Sequence, residues 1–350
     1  MSHATRLANY GAVSASLALL SDRRFRALVD EAPLIGSGIG GTAVLLEIEG
    51  IPVFVKRIPL TDLERRPENV RSTANMFRLP TFYQYGVGSA GFGVWRELAA
   101  HAMTTTWVLT RQCGSFPLMY HWRVLTGSAP GTPTPDEQAD LARTVEYWDG
   151  CTAVRKRLDA IARSSASVVL FLEYLPQNLR EWLTAQVASG DDAIESACAM
   201  VRRHLRTDVR FMESNGLLHL DAHFGNILTD GRRLYFADFG LATSPRFELS
   251  GAESGFLAKN LSHDRCHTTT QLVNWLVTTL SGAADRNGFI RRCAEGADPV
   301  GVPPWAAAVI RRHAPVAAVV NEFYRKLHLE SRTTPYPADE IRRVCAKPAR

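Results

Sequence analysis

Side chains able to hold a divalent cation stand in two short segments in the second half of the chain. The first, His219 to Asn226, places a carboxylate, an imidazole and an amide at short intervals after a helix predicted to end with a cap at Asn215-Gly216. A turn at Asp230-Gly231 then predicts a tight hairpin that carries the chain back to Asp238. We therefore expect Asn226 and Asp238 on neighbouring strands, where their oxygens would suit Mg²⁺ shared with a triphosphate.

The same segment offers a different metal chemistry. His219, Asp221 and His223 alternate along the chain, so on an extended loop they would point the same way and could ligate a transition metal. That alternative leaves Lys56 and the glycine-rich turn before it without a role. The Mg²⁺ hypothesis gives a role to both, because phosphoryl transfer needs a phosphate cradle and a cation on the phosphates.

Lys56 follows three apolar residues, Val53 to Val55, in a predicted strand. A buried ammonium is costly unless it meets an anion, and a phosphate together with a helix carboxylate would supply one. Glu97, on a helix predicted from residue 94, is the best candidate for that carboxylate, with Glu64 and Glu68 as alternatives. The plain structural interpretation is an edge-strand lysine with its ammonium in solvent and a glutamate on a solvated helix face.

A glycine-rich turn precedes this lysine. Gly36, Gly38 and Gly41 occupy the glycine positions of a phosphate-binding loop, whose backbone N–H groups can approach phosphate oxygens because no side chain blocks them. A second Gly-x-Gly-x-x-Gly pattern at residues 86–91 leads straight into a predicted helix and has no comparable lysine. Only the first pattern enters a hairpin whose second strand carries Lys56, so we predict that one as the phosphate cradle.

Hydrophobic periodicity predicts strands early in the chain and helices later. We expect strands over 42–48, 51–58, 116–125 and 167–175, and helices over 94–109, 137–162 and most of the chain from 179 onward. This order predicts an α+β protein. Its expected parts are an N-terminal helical extension (1–32), a β-rich lobe (33–175) with insertions at 61–93 and 126–163, and a helical lobe (176–350) with the catalytic loop and C-terminal helices.

Composition narrows the class of protein. The chain is 46% hydrophobic and 21% charged, and its formal charge of +5 comes without a basic arm or finger, so we expect no nucleic-acid partner. Tyr10 to Leu20 is apolar but leads directly into charged residues, which favours an amphipathic helix over a secretory signal. No uncharged apolar run reaches about 18 residues. The six cysteines include no C-x-x-C pair, so we expect a reduced, cytoplasmic protein without a membrane partner.

In their order, these motifs resemble the protein-kinase-like superfamily over about residues 33 to 280. The resemblance implies a bilobal fold and a phosphotransferase that uses ATP and Mg²⁺. It also implies roles for single residues. Lys56 would grip the α- and β-phosphates and be held by Glu97. Asp221 would receive or orient the acceptor hydroxyl, and Asn226 would bind Mg²⁺ together with Asp238.

The resemblance further implies an adenine site at a hinge. The backbone at Glu173 and Leu175 would meet the adenine edge, and Leu228 would pack beneath the ring. His219 would brace the catalytic loop, and Asp264 would anchor that loop from a following helix. ATP is the expected phosphate donor, with GTP as the alternative.

Other residues depart from the protein-kinase pattern. Leu220 replaces an arginine that reads phosphorylation in many protein kinases, no Ala-Pro-Glu triplet follows Asp238, and Phe54 stands where alanine usually meets adenine. His223 makes the loop similar to aminoglycoside and related small-molecule phosphotransferases, so we count it among the catalytic residues. We expect phosphorylation of a hydroxyl, on protein Ser or Thr first and on a small molecule as the alternative. A pseudokinase scaffold that binds nucleotide is the third hypothesis, and no oligomeric state follows from the sequence.

Overall fold

The computed structural model describes residues 1–38, 41–86, 88–127 and 134–346. By its contacts the chain divides into two compact units. The first unit comprises Met1–Pro176 and Tyr235–Glu253, and the second comprises Gln177–Leu234 and Ser254–Arg350. Among the helices of the described ranges, none combines the length and the apolar composition needed to cross a bilayer.

The first unit combines an antiparallel sheet with helices. Its elements are α1 (His3–Ala18), α2 (Asp22–Asp30), β1 (Leu34–Gly38), β2 (Gly41–Ile48), β3 (Ile51–Leu60), α3 (Asp62–Arg65), α4 (Val94–Leu109), β4 (Met119–Thr126), α5 (Pro135–Tyr147), α6 (Thr152–Ala162) and β5 (Ala166–Glu173). Within the described residues the strand order is β1-β2-β3-β5-β4, and each neighbouring pair is antiparallel.

The second unit is mainly helical, so the chain as a whole is mixed α+β. The remaining elements are β6 (Gln177–Asn178), α7 (Leu179–Ala188), α8 (Asp191–Ser214), β7 (Ile227–Thr229), β8 (Leu234–Phe236), α9 (Gly251–Lys259), α10 (His263–Leu276), α11 (Arg286–Ala294), α12 (Pro304–Leu329) and α13 (Ala338–Ala346). Strands β6 and β7 pair with each other. β8 and α9 lie where the chain passes between the units.

The hairpin predicted over residues 42–58 is confirmed. Its turn residues Glu49 and Gly50 both have positive φ, 54° and 71°, as a two-residue type I′ turn requires. Strands β2 and β3 then pair in continuous register as far as Arg57. Because side chains alternate across a strand, Lys56 shares a face with Ile58 and Leu60.

Helix α4 packs against that face of the sheet. Its residues Val94, Trp95 and Leu98 belong to one buried cluster with the sheet residues Ile58, Leu60, Val168, Leu170 and Leu172. Glu97 lies between two of the anchoring positions of α4. Burial of the apolar residues therefore brings this acidic side chain to the sheet.

The prediction of one helix over residues 137–162 is wrong, because the structure has two helices there, α5 and α6. They are separated at Asp149 and Gly150, whose φ values of 53° and 67° are left-handed and cannot continue an α-helix. The peptide N–H of Gly150 instead bonds to the carbonyl of Val145 at 2.9 Å. β5 also ends at Glu173, two residues earlier than predicted.

Helix α8 ends where the sequence predicts. It stops at Ser214, and Gly216 follows with a φ of 71°, the left-handed conformation expected of a C-terminal cap. The N–H of Leu217 returns to the carbonyl of Met212 at 3.0 Å. The cap releases the chain into the His219–Asn226 segment. Elsewhere in this unit Cys266 of α10, Val316 and Val320 of α12, and Ile341 of α13 share a buried cluster.

Candidate active site

Lys56 lies between two carboxylates in the first unit. Its Nζ is 2.7 Å from Oε1 of Glu97 and 2.8 Å from Oδ1 of Asp238. The side chain of Glu97 is 5% exposed, whereas that of Asp238 is 50% exposed. The lysine thus joins a buried helix carboxylate to a carboxylate that solvent can reach.

The electrostatics of this group favour a charged lysine. Burial alone would lower the pKa of Lys56, but the negative charges of Asp238 and Glu97 outweigh burial and raise that pKa above its ordinary value. Burial raises the pKa of Glu97, and the nearby Lys56 charge offsets part of this rise. The ammonium therefore keeps its charge, and with it the ability to bind an anion.

Glu64, an alternative partner for Lys56, is used elsewhere. Its carboxylate caps α3 by accepting from the N–H of Thr61 at 3.1 Å, and it also accepts from the N–H of Val94 at 3.0 Å. Nη1 of Arg157 adds an ion pair at 2.9 Å. Glu64 is therefore a buried structural carboxylate, and Glu97 is the residue that the structure places against Lys56.

The Asp238-Phe239-Gly240 turn has the backbone and packing of a fixed element. Asp238 has a φ of 60°, a left-handed conformation that is strained for a residue with a side chain. Phe239 is fully buried and meets the ring of His101 edge-on at 5.0 Å. A Cβ added at Gly240 would lie 3.5 Å from Oδ1 of Asp238 and from Oε2 of Glu97. The turn therefore presents the Asp238 carboxylate at a defined place beside Lys56.

In the second unit, Asp264 anchors the start of the His219–Asn226 segment. Its carboxylate accepts the N–H groups of His219 at 2.6 Å and Leu220 at 2.8 Å. Burial opposes ionisation of Asp264, but the hydrogen bond and charge of His263 outweigh it and hold the pKa below its ordinary value. Leu220 has a left-handed φ of 63°, so the Asp264 carboxylate binds a strained peptide.

Asn226 is hydrogen-bonded to Asp221, and the imidazole of His223 lies beside the same carboxylate. Nδ2 of Asn226 donates to Oδ2 of Asp221 at 3.0 Å, and Nε2 of His223 is 3.9 Å from Oδ1 of the same aspartate. Nδ1 of His223 accepts from the N–H of Gly225 at 3.0 Å, which assigns this nitrogen as the unprotonated one. A Cβ at position 225 would lie 2.8 Å from the imidazole, so a larger residue there would displace the His223 ring.

The transition-metal alternative at His219, Asp221 and His223 is not formed. Among the described residues, no three His, Cys, Asp or Glu side chains are grouped as metal ligands. His219 is fully buried, and its Nδ1 accepts from the N–H of Asp221 at 3.4 Å. A Mg²⁺ site made of Asn226, Asp238 and nucleotide oxygens would contain only one side chain of these types, Asp238, so this finding does not bear on it. The Mg²⁺ hypothesis therefore stays a prediction.

The predicted phosphate cradle lies at the end of the β1–β2 hairpin. Gly36 pairs with Ala43, and Gly38 pairs with Gly41. Gly41 has a φ of 122°, and a Cβ there would lie 2.0 Å from the carbonyl oxygen of Arg57, so only glycine permits this approach to β3. Residues 39 and 40, at the tip of the predicted cradle, lie outside the described residues.

The predicted hinge holds a buried ion pair that the sequence did not suggest. Nε of Arg6, on α1, is 2.8 Å from Oε1 of Glu173, and its Nη2 is 2.6 Å from Oε2. The N–H of Glu173 bonds to the carbonyl of Leu118 at 2.8 Å. The N–H of Glu173 is therefore not available to an adenine edge. Leu175 follows the end of β5 and is partly buried.

The predicted site residues fall into two groups. Lys56, Glu97, Asp238, the cradle glycines, Glu173 and Leu175 lie in the first unit, and Asp221, His223, Asn226 and Leu228 lie in the second. Sequence reasoning missed Arg6, whose only signal was a charged residue at the start of an apolar helix. Comparison of the chain with models of known protein families gives no match, and comparison with curated proteins gives no match either.

Proposed function

We propose that this chain is an ATP-dependent phosphotransferase with a bilobal, protein-kinase-like fold, and that it transfers the γ-phosphoryl group to a hydroxyl. The observation that carries the proposal is the position of Lys56 between Glu97 and Asp238. A purely structural ion pair would need only one buried carboxylate. Here a second carboxylate, half exposed and on a strained backbone, shares the same ammonium.

The charge on Lys56 suits it to bind phosphate. Glu97 holds the ammonium at the sheet, which leaves its remaining donor capacity for a ligand, since a lysine ammonium has three N–H groups. Gly36, Gly38 and Gly41 lie on the hairpin that precedes β3 and could add backbone N–H donors. Together they support a triphosphate as the ligand of the first unit.

Asn226 and Asp238 fit a hard divalent cation. Asn226 donates through Nδ2 to Asp221, so its Oδ1 faces away from this contact and is the atom able to ligate a cation. Asp238 adds a carboxylate that is half exposed. Mg²⁺ held by such oxygens would offset negative charge on the phosphates.

Asp221 is the residue that would handle the proton of the acceptor. Its carboxylate is about one-quarter exposed and is oriented by Asn226. The acceptor oxygen would form a bond to the γ-phosphorus as the bond to the β–γ bridging oxygen breaks, which releases ADP. The hydroxyl proton would pass to Asp221.

Two classes of acceptor remain in the proposal. A protein Ser or Thr hydroxyl is the first. The contact of His223 with Asp221 and with the N–H of Gly225 favours the second, a small hydroxylated molecule, because an imidazole there replaces the lysine of Ser/Thr kinases. GTP in place of ATP is the alternative donor.

Transfer of label from γ-³²P-ATP tests the proposal. Purified protein is offered itself, generic protein substrates and a panel of small alcohols, with and without Mg²⁺. We expect Asp221→Asn to reduce transfer by about 10³-fold or more while nucleotide binding stays nearly intact. Glu195→Gln, on an exposed face of α8, is the matched loss of one carboxylate and should leave transfer unchanged.

The outcomes separate the hypotheses. Label in proteins supports the first acceptor class, and label only in small alcohols supports the second. Nucleotide binding without any transfer by wild type supports the scaffold. Equal transfer by wild type and Asp221→Asn would contradict the assigned role of Asp221.

A further inference from the structure

Residues 72–96, most of which belong to the insertion before α4, contact the chain that follows Asp238 at several places. Both segments belong to the first unit. The contacts involve Gly240, Leu241, Phe247, Glu248 and Glu253. We call residues 72–96 the brace, and residues 240–253 the braced segment.

The closest approach joins two glycines. Gly91 has a φ of 68°, and a Cβ built on it would lie 2.3 Å from the carbonyl oxygen of Gly240. Gly91 ends the second glycine-rich pattern, the one that leads into α4. That pattern therefore has a use in the fold: it lets one backbone touch another next to Asp238.

A buried side-chain amide makes the next contact. Gln84 is 3% exposed, and its Nε2 donates to the carbonyl of Leu241. Further along, the N–H of Glu248 donates to Oγ1 of Thr73 at 2.8 Å, and Oγ of Ser72 donates to the Glu248 carboxylate at 2.8 Å. Hydrogen bonds thus hold the backbone of the braced segment at Leu241 and at Glu248.

Arg96 closes the far end. It is 1% exposed, its Nη2 is 2.6 Å from Oε1 of Glu253, and its Nε donates to the carbonyl of Thr73 at 2.6 Å. Its guanidinium also lies 5.1 Å from the ring centre of Phe92 and 6.0 Å from that of Phe247. Arg96 therefore links α4, the brace and the braced segment.

We propose that the brace positions Asp238, so that the chain itself keeps the Asp238-Phe239-Gly240 turn in its metal-binding conformation. Gly91 and Gln84 are positioning residues, because they act through Gly240 and Leu241. The hydroxyl residues of the braced segment that lie nearest to Asp238, Thr243 and Ser244, are 4% and 0% exposed. Burial of both side chains agrees with a braced segment that is packed into the first unit. The metal-binding part rests on the proposed function.

The test compares two alanine variants with the same backbone cost. Gly91 and Gly150 have φ values of 68° and 67°, but nothing lies within 4 Å of a Cβ at Gly150. Gly91→Ala and Gly150→Ala thus differ in the contact with Gly240 rather than in strain. Gln84→Leu, which removes the bond to Leu241 at similar volume, is an independent variant in case Gly91→Ala fails to fold.

Two readouts are taken on the full-length proteins. Hydrogen–deuterium exchange should rise in residues 240–253 in Gly91→Ala and Gln84→Leu but not in Gly150→Ala. The apparent affinity for Mg²⁺, measured as Mg²⁺-dependent binding of a fluorescent ATP analogue, should fall about tenfold or more in the first two variants, as expected when residues that position a ligand are lost. Nucleotide binding without metal should change little.

The two hypotheses fail in different ways. Unchanged exchange in residues 240–253 in both folded brace variants would overturn the brace, whatever the activity of the protein. Raised exchange with unaltered Mg²⁺ affinity would overturn the positioning of Asp238. Absence of Mg²⁺-dependent nucleotide binding in wild type would overturn the proposed function and the metal-binding part, while the exchange data would still decide the brace.

Discussion

One buried carboxylate stabilises the candidate residues of each unit, Glu97 in the first and Asp264 in the second, and their partners differ. Glu97 faces an ammonium, so removing either partner leaves an uncompensated charge. Asp264 mainly faces peptide N–H groups, those of His219 and Leu220. Its lowered pKa shows that His263 and these hydrogen bonds together stabilise the anion in spite of burial.

Replacement of Asp264 should therefore be costly although the side chain touches no substrate. In Asp264→Asn an amide NH₂ would face one of the two peptide N–H groups, which leaves a buried donor unsatisfied. We expect a loss of about 1–3 kcal/mol in the free energy of unfolding. Urea denaturation followed by circular dichroism measures it, with Glu195→Gln as the exposed control, expected within about 0.5 kcal/mol of wild type. Equal midpoints for Asp264→Asn and wild type would contradict the anchoring role.

At the scale of elements, Arg6 joins α1 to the end of β5. The side chain of Arg6 is fully buried, and besides Glu173 it donates to the carbonyls of Gly114 and Phe116. Its guanidinium also lies 5.3 Å from the ring centre of Tyr235. The N-terminal helix therefore supports the end of β5, where the adenine site is predicted.

Loss of this arginine should weaken the first unit strongly. Arg6→Met keeps most of the side-chain volume but leaves the Glu173 carboxylate buried without its cation, which should cost about 3–5 kcal/mol. Adding Glu173→Gln should recover part of that loss, because the unpaired charge is then gone. Arg23→Met, on the exposed face of α2, is the matched control. A double-mutant cycle by urea denaturation gives the coupling, and a coupling near zero would show that the pair does not tie α1 to β5.

Sequence patterns were most informative where structure is set by neighbours along the chain. The Glu49-Gly50 turn, the Gly216 cap and the start of α4 follow from local residue types, and all were predicted. The break at Asp149-Gly150 was missed, because the apolar spacing of the flanking segments fits a single helix. Arg6 and Glu173 are 167 residues apart, and Gly91 also meets Gly240 from a distant part of the chain. No local pattern encodes such contacts, since they depend on how whole elements pack.

The free energy of unfolding of the whole molecule should depend on pH because of one buried histidine. His267 of α10 is 8% exposed, its ring stacks on that of His263 at 5.3 Å, and the ring of Tyr324 lies 5.4 Å away. The pKa of His267 is lowered to about 3, mainly by burial and in part by the nearby His263, while Asp264 opposes the shift. His219 and His223 act in the same direction as His263. The folded protein thus keeps His267 neutral at pH values where the unfolded chain protonates it.

The sign of the pH dependence follows from proton uptake. The unfolded chain binds a proton at this residue below about pH 6.5, whereas the folded protein does so only near the lowered pKa, so acid favours unfolding. The free energy of unfolding should fall by about 1 kcal/mol per pH unit between pH 6 and pH 4.5 from this residue alone. In His267→Gln, which cannot titrate, that part of the slope should disappear. Urea denaturation at pH 7.5, 6.5, 5.5 and 4.5 measures both slopes, and parallel curves would mean that protonation of His267 does not govern acid stability.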